Sequence, residues 1–255
     1  MAGHSKWANI KRQKARVDAV KGKVFTKISR EIIVAARQGG DPAGNFQLRT
    51  AIEKAKAAAI PNDNIERAIA KGAGKLGSGA SELEFIRYEG YGVGGVAILI
   101  EALSDNRNRT AADLRVAFSK NGGNLGETGC VSWMFDQKGV VTLAGPIDEE
   151  KLLEALVEAE AESYELTPVN DTDGAEVFTN IGNLEQLSQV LKEQKFRVVE
   201  AEWRWIPNNI IEVDDLEKAR SLMKLMNILD DLDDVQNVTA NFELSDACYQ
   251  ALYSE

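Results

Sequence analysis

The chain has 255 residues, 44% hydrophobic and 27% charged, with a formal net charge of -10, a composition that suits a soluble globular protein of more than one domain. No apolar run approaches the ~18 residues of a membrane span, and no apolar stretch follows the basic N-terminus, which argues against a secretory signal. Two cysteines, Cys130 and Cys248, make neither a disulfide framework nor a CxxC pair, and the single histidine, His4, cannot build a Cys/His zinc site. A reducing cytoplasm is therefore expected, with no metal and no other cofactor.

Charge is unevenly placed. The opening MAGHSKWANIKRQKARVDAVKGK holds seven Lys/Arg and one acid; through Leu76 the count is 16 against 6, and beyond it 14 against 34. A basic module is joined to an acidic body, which points to nucleic acid or another anionic surface as partner of the basic part. The cluster comprises Lys6, Lys11, Arg12, Lys14, Arg16, Lys21, Lys23, Lys27 and Arg30, with Asp18 as its sole acid before Glu31. A solvated helix face normally mixes signs. This one repels itself unless it meets phosphates, where it releases counterions. The opening segment is expected to be helical but weakly anchored, because Lys14 interrupts its stripe of Trp7, Ile10, Val17 and Val20.

Residues 1–71 read as helical. Val24, Phe25, Ile28, Ile32, Ala35 and Ala36 recur at helical spacing until Gly39 and Gly40. Phe46, Ile52, Ala55 and Ala59 mark a second helix, which stops before Pro61 because proline disfavours helical geometry in the residue ahead of it. Asp63 followed by Glu66 resembles a capping box for a short third helix. GAGKLGSGAS (72–81) reads as a flexible hinge.

After the hinge the pattern turns to β/α. FIRYE and VAILIEAL read as strands, followed by a helix opening near Thr110 with Asp113 as its N3 partner, and CVSWMFDQKGVVTL reads as a hairpin around residues 136–139. From Val140 the order is strand, helix (148–160), strand (163–168), strand (175–179), helix (183–193), strand (196–206), the ferredoxin-like βαββαβ split. A helix capped by Asp214 with Glu217 and a final strand, VTANFEL, close the chain. The flanking ββα and αβ pieces would be left unpaired unless they joined each other. The expected fold class is thus α+β: a basic helical domain (1–76), a discontinuous α/β domain (82–131 with 207–255), and a ferredoxin-like domain (132–206) inserted into it.

Several motifs invite functional readings. GYGVGG fits GxGxxG at Gly90, Gly92 and Gly95, but a strand follows it where the dinucleotide fingerprint needs a helix, so a glycine turn is expected. DDLDD (Asp230, Asp231, Asp233, Asp234) lacks the alternating ligands, glycine and distal Glu of a calcium loop and reads as a solvated helix exit. Trp203 and Trp205 share a strand face with Val199 and Ala201, which favours core packing over base stacking. Arg107 and Arg109 sit just ahead of a helix start, where backbone N–H groups favour anions. They read either as solvated arginines paired with the acidic surface or as a phosphate-binding corner. No GxSxG is present, His4 is the only imidazole, and the plentiful carboxylates cannot be placed across a cleft from sequence, so no catalytic residue is assigned and a non-enzymatic protein is expected.

Four stretches carry a family resemblance: AGHSKWANIKRQKARVDAVKGKVFTK, GGDPAGNFQLRTAIEKAKAAAIPNDNIERAI, YEGYGVGGVAILIEALSDNRNRTAADLR and NLGETGCVSWMFDQKG. They closely resemble the YebC/PmpR family, described as transcriptional regulatory proteins and including a mitochondrial translational activator. The resemblance runs end to end and is densest from Ala2 to Gly139. It implies a helical N-terminal domain, two α/β domains and a non-enzymatic role in the cytoplasm on nucleic acid. Duplex DNA is the conventional target, and structured RNA on the ribosome its rival. Many phosphate-type contacts and few residues placed for base edges favour reading of backbone or shape.

Overall fold

The computed structural model describes residues 21–75, 83–169 and 172–253. Lys6, Lys11, Arg12, Lys14, Arg16, the apolar stripe Trp7 to Val20, and residues 76–81 of the expected hinge lie outside the described residues. Among those described, no helix is long and apolar enough to cross a membrane.

Three helices form the N-terminal unit: α1 (Lys21–Ala36), α2 (Phe46–Ala57) and α3 (Asn62–Gly72). The helical spacing of Ile28, Ile32, Ala35 and Ala36 on α1 buries them against Leu48, Ala51 and Ala55 of α2 and Ile65 and Ala68 of α3. Asn45 fixes the α1–α2 corner. Its side chain caps α2 by accepting from the Leu48 N–H, while its Nδ2 donates to Ala35 O and Gly39 O, both at 2.8 Å. The expected capping box on α3 does not form: Pro61 occupies the cap position without a side-chain bond, and Asp63 lies inside the first turn, where its negative charge is favoured by the positive helix end. Gly72 is not a free hinge residue either. A Cβ there would collide with Ile33 O and the Ala36 side chain, so its bareness lets α3 lie close on α1.

The first sheet has the order β3-β1-β2-β9, from β1 (Glu84–Tyr91), β2 (Ala97–Ser104), β3 (Asn124–Leu125) and β9 (Val235–Ala240). Glycines turn β1 into β2, with Gly94 (φ 77°) and Gly95 (φ 76°) in the left-handed region; this is the expected glycine turn between two strands, where a dinucleotide fingerprint would need a helix. Helices α4 (Arg107–Lys120) and α7 (Leu216–Asp230) cover one face, burying Leu114, Phe118, Leu222, Leu225 and Met226 on Ile98 and Ile100. Both helices begin elsewhere than expected. Asn106, not the Thr110 region, caps α4 by accepting from the Arg109 N–H, and Asp215 rather than Asp214 caps α7 through the N–H groups of Glu217 and Lys218. VTANFEL is two strands. Asn241 breaks it, its buried side chain accepting from the Ala97 N–H at 2.7 Å, and β10 (Phe242–Leu244) pairs in parallel with β8 (Ile211–Val213). Helix α8 (Asp246–Tyr253), which the periodicity did not suggest, follows.

The second sheet contains β4 (Phe135–Ala144), β5 (Ser163–Leu166), β6 (Gly174–Thr179) and β7 (Val198–Pro207), in the order β5-β6-β4-β7 with every pair antiparallel. That is the ferredoxin-like arrangement. Helices α5 (Glu149–Glu158) and α6 (Leu184–Glu193) close its core. Because β2 pairs with β9 across this unit, the ferredoxin-like unit is inserted into the other.

The expected hairpin at 136–139 is instead part of one unbroken ten-residue strand, β4. Gly139 is not a turn residue there: its Cβ would sit 3.0 Å from the Leu184 side chain and 3.1 Å from Thr179. Strands β4 and β7 pair from Phe135 opposite Pro207 onward, whereas β6 joins only from Gly139. The resulting two-stranded ribbon leaves its own sheet. Its end places Phe135 and Trp205, with Val131, against Ala97 and Leu99 of β2.

Candidate nucleic-acid interface

Lys23, Lys27 and Arg30 follow one another at i, i+4 and i+7 on α1, which places them on one helix face. That face meets the end of α7. Lys27 Nζ donates to Asp230 O at 2.6 Å and lies 3.3 Å from Asp230 Oδ1. Lys23 Nζ donates to Asp231 O at 3.2 Å and stands 3.6 Å from its carboxylate. Arg30 Nη1 reaches Asp234 Oδ1 at 3.0 Å, Leu103 O at 3.1 Å and Asp233 O. The acidic run is therefore not a solvated helix exit. Free carbonyls and the negative helix end already favour cations at this point, and the carboxylates add to that field.

Asp234 is the centre of the contact, 7% exposed. Its Oδ2 accepts from the Ser104 and Thr110 hydroxyls at 3.0 and 2.7 Å and from Arg109 Nη2 at 2.9 Å. Burial alone would raise its pKa, but the hydrogen bonds from Arg109, Thr110 and Ser104 hold the carboxyl below its ordinary value. Arg109 is held in turn by Asp105 at 2.7 Å, and its own pKa is raised by the hydrogen bonds to Asp234 and Asp105. Arg107 and Arg109 thus stand within the first turn of α4 rather than ahead of it. Arg109 is engaged by acids, while Arg107 is exposed and makes no ion pair among the described residues.

A second contact joins α2 to the ferredoxin-like unit. Lys54 Nζ lies 2.9 Å from Glu202, 3.2 Å from Glu200 and 3.9 Å from Glu31. Burial opposes its charge, yet the three carboxylates outweigh that and raise its pKa well above the usual lysine value. Arg49 pairs with Glu185, and Lys192 with Glu53 at 3.7 Å. Many described cations of the helical unit are spent on these two contacts. Lys56, Arg67, Lys71 and Lys75 are exposed and make no ion pair among the described residues. Sequence reasoning passed over them, although Arg67 and Lys71 stand one helical turn apart.

The paired tryptophans separate. Trp205 is half-buried, donates to Glu101 at 3.0 Å and lies under the Arg87 guanidinium, 4.9 Å from its ring centre. Trp203, on the edge strand β7, is 40% exposed, so the expected core packing does not hold for it. Another aromatic was missed: Trp133 is 69% exposed, and its Nε1 donates to Cys130 O at 3.1 Å. Its loop is organised by the buried carboxylate of Glu89, which accepts from the N–H groups of Gly129, Val131 and Ser132. Burial, and then the charge of Glu89, push the Cys130 thiol up. Among the described residues, no group of three or more His, Cys, Asp or Glu could hold a metal.

Comparison with known proteins settles the lineage. Residues 5–75 match the model of the TACO1/YebC protein N-terminal domain, and residues 83–242 that of the TACO1/YebC second and third domain. The chain belongs to the TACO1/YebC family. Similar relatives include a "probable transcriptional regulatory protein" of Trichodesmium erythraeum, 71% identical over 254 residues and covering 100% of both chains. Another of the same description, from Gloeothece citriformis, is 72% identical over 96% of this chain and 97% of its own. The crystal structure of a conserved hypothetical protein from Aquifex aeolicus superposes with a TM-score of 0.81 at 43% identity, covering 91% of this chain and 94% of that one. In this TACO1/YebC protein, both contacts of the helical unit join residues matched by the first model to residues matched by the second.

Proposed function

We propose that this TACO1/YebC protein is a non-enzymatic nucleic-acid-binding regulator that acts on transcription through duplex DNA. The carrying observation is the charge partition, 16 Lys/Arg against 6 Asp/Glu through Leu76 on a chain whose net charge is -10. Lys6, Lys11, Arg12, Lys14, Arg16, Lys21, Lys23, Lys27 and Arg30 supply the phosphate contacts, with Arg107 and the exposed Lys56, Arg67, Lys71 and Lys75 as further ones. The description shared by the cyanobacterial relatives supports transcription as the process. Backbone contacts of this kind give affinity and position, and sequence choice comes from shape.

Competition binding at physiological salt tests the reading, with promoter duplex, random duplex and purified ribosomes in one series. A promoter preference above about a hundredfold that survives excess ribosomes is expected. Sequence-blind duplex binding abolished by ribosomes would overturn it in favour of a translation role on ribosomal RNA. Replacing Arg67, Lys71 and Lys75 together by Ala should flatten the log–log salt slope by roughly 2 to 3.

A further inference from the structure

We propose that the acidic run at residues 230–234 is an internal competitor for nucleic acid, so that the closed molecule is autoinhibited and a bound polyanion lifts α1 from the end of α7. The inference rests on the functional reading above and adds a mechanism to it. Lys23, Lys27 and Arg30 belong to the basic cluster, yet carbonyls and carboxylates of residues 230–234 occupy all three. A phosphate must compete with those contacts for the same cations. The run also presents, as a nucleic-acid backbone does, a series of oxygens to one helix face of cations, here carboxylates beside backbone carbonyls.

The contact is graded in a way that suits exchange. At its outer end Lys23 and Asp231 are both well exposed, Lys27 and Asp230 are less so, and Arg30 with Asp234 is the most enclosed. Exposed pairs of this kind are individually weak and screened by salt. A polyanion arriving at the rim can therefore take Lys23 first and then its neighbours. Nothing covalent changes. One set of anions replaces another, and the apparent affinity equals the intrinsic affinity scaled by the open fraction.

Asp230→Asn with Asp231→Asn tests this, because it weakens the competitor and leaves the cations, the Asp234 network and the helix-end carbonyls in place. Duplex binding should tighten by about 5- to 30-fold and become more steeply salt-dependent, since salt no longer helps to open the protein. Glu154→Gln with Glu160→Gln, on the exposed surface of the ferredoxin-like unit, makes the same charge change elsewhere and should tighten binding by less than about threefold. Spin labels at Asn64→Cys and Lys218→Cys, in a background without the native cysteines, should move apart when duplex is added. Equal tightening by the two double variants, or an unchanged label separation in the bound state, would overturn the clasp alone. Absence of binding to any duplex by every form would overturn the functional reading, and the clasp with it.

Discussion

The helical unit is held on two sides by the same chemistry, a cation on the helices and anions on the body, yet the two contacts differ in what accepts. At the α1 contact, backbone carbonyls of Leu103, Asp230, Asp231 and Asp233 take hydrogen bonds beside the carboxylates. At the α2 contact, Lys54 meets carboxylates, and Phe46 of the same helix leans on the ferredoxin-like core. Carbonyls cannot be protonated or deleted by side-chain substitution. Carboxylates can. The first contact should therefore weaken by degrees, whereas the second should fail when its one central cation is lost.

Lys54→Met gives the largest expected effect. It leaves Glu200 and Glu202 facing Glu31 without the lysine between them, and breaking an enclosed pair in this way costs about 3 kcal/mol. An unfolding free energy from urea titration that falls by less than a quarter of that would mean the carboxylates rearrange into water at little cost.

Asp234→Asn comes next, at about 2 kcal/mol, because two arginines and two hydroxyls lose a shared anion while the carbonyl contacts of Arg30 remain. The same residue sets a pH dependence. Its folded pKa lies below the ordinary value, so its stabilisation is complete above the usual carboxylate range and is lost as pH falls through the depressed folded value. Urea unfolding between pH 7 and pH 3 should show a smaller acid-side loss in Asp234→Asn than in the wild type. Parallel curves would exclude Asp234 as a source of the acid sensitivity.

Lys23→Ala should be the smallest, within about 0.5 kcal/mol, since both partners stand largely in water. A larger loss in a thermal melt would show that the rim of the α1 contact is not a weak, graded edge.

Much of this architecture was readable from patterns. The spacing of Ile28, Ile32 and Ala35 marks α1, and the unpaired ββα and αβ pieces demand the β2–β9 pairing that joins the first sheet. What failed was local punctuation with two physical meanings. Gly139 looks like a turn residue, but it is bare because Leu184 and Thr179 crowd it. Asn106 and Thr110 can both cap a helix; the asparagine does so, leaving the threonine hydroxyl for Asp234. The destination of the acidic run was unreadable for another reason: Lys27 and Asp230 are separated by 203 positions, and nothing local in DDLDD distinguishes solvent from a docked helix. Of the basic cluster, its charge could be counted from the sequence, whereas its engagement by the body could not.

The ribbon made by β4 and β7 has a mechanical consequence. An inserted unit joined by two loops can swivel and melt by itself. Here both connections are paired strands that run from the ferredoxin-like core into the face of the other sheet, with Phe135 and Trp205 seated on Ala97 and Leu99. Twisting one unit against the other must shear a hydrogen-bonded ladder, and melting one must strip the apolar cover from its neighbour. The two α/β units should therefore unfold as a single cooperative block, a stiff anvil on which the helical unit is docked.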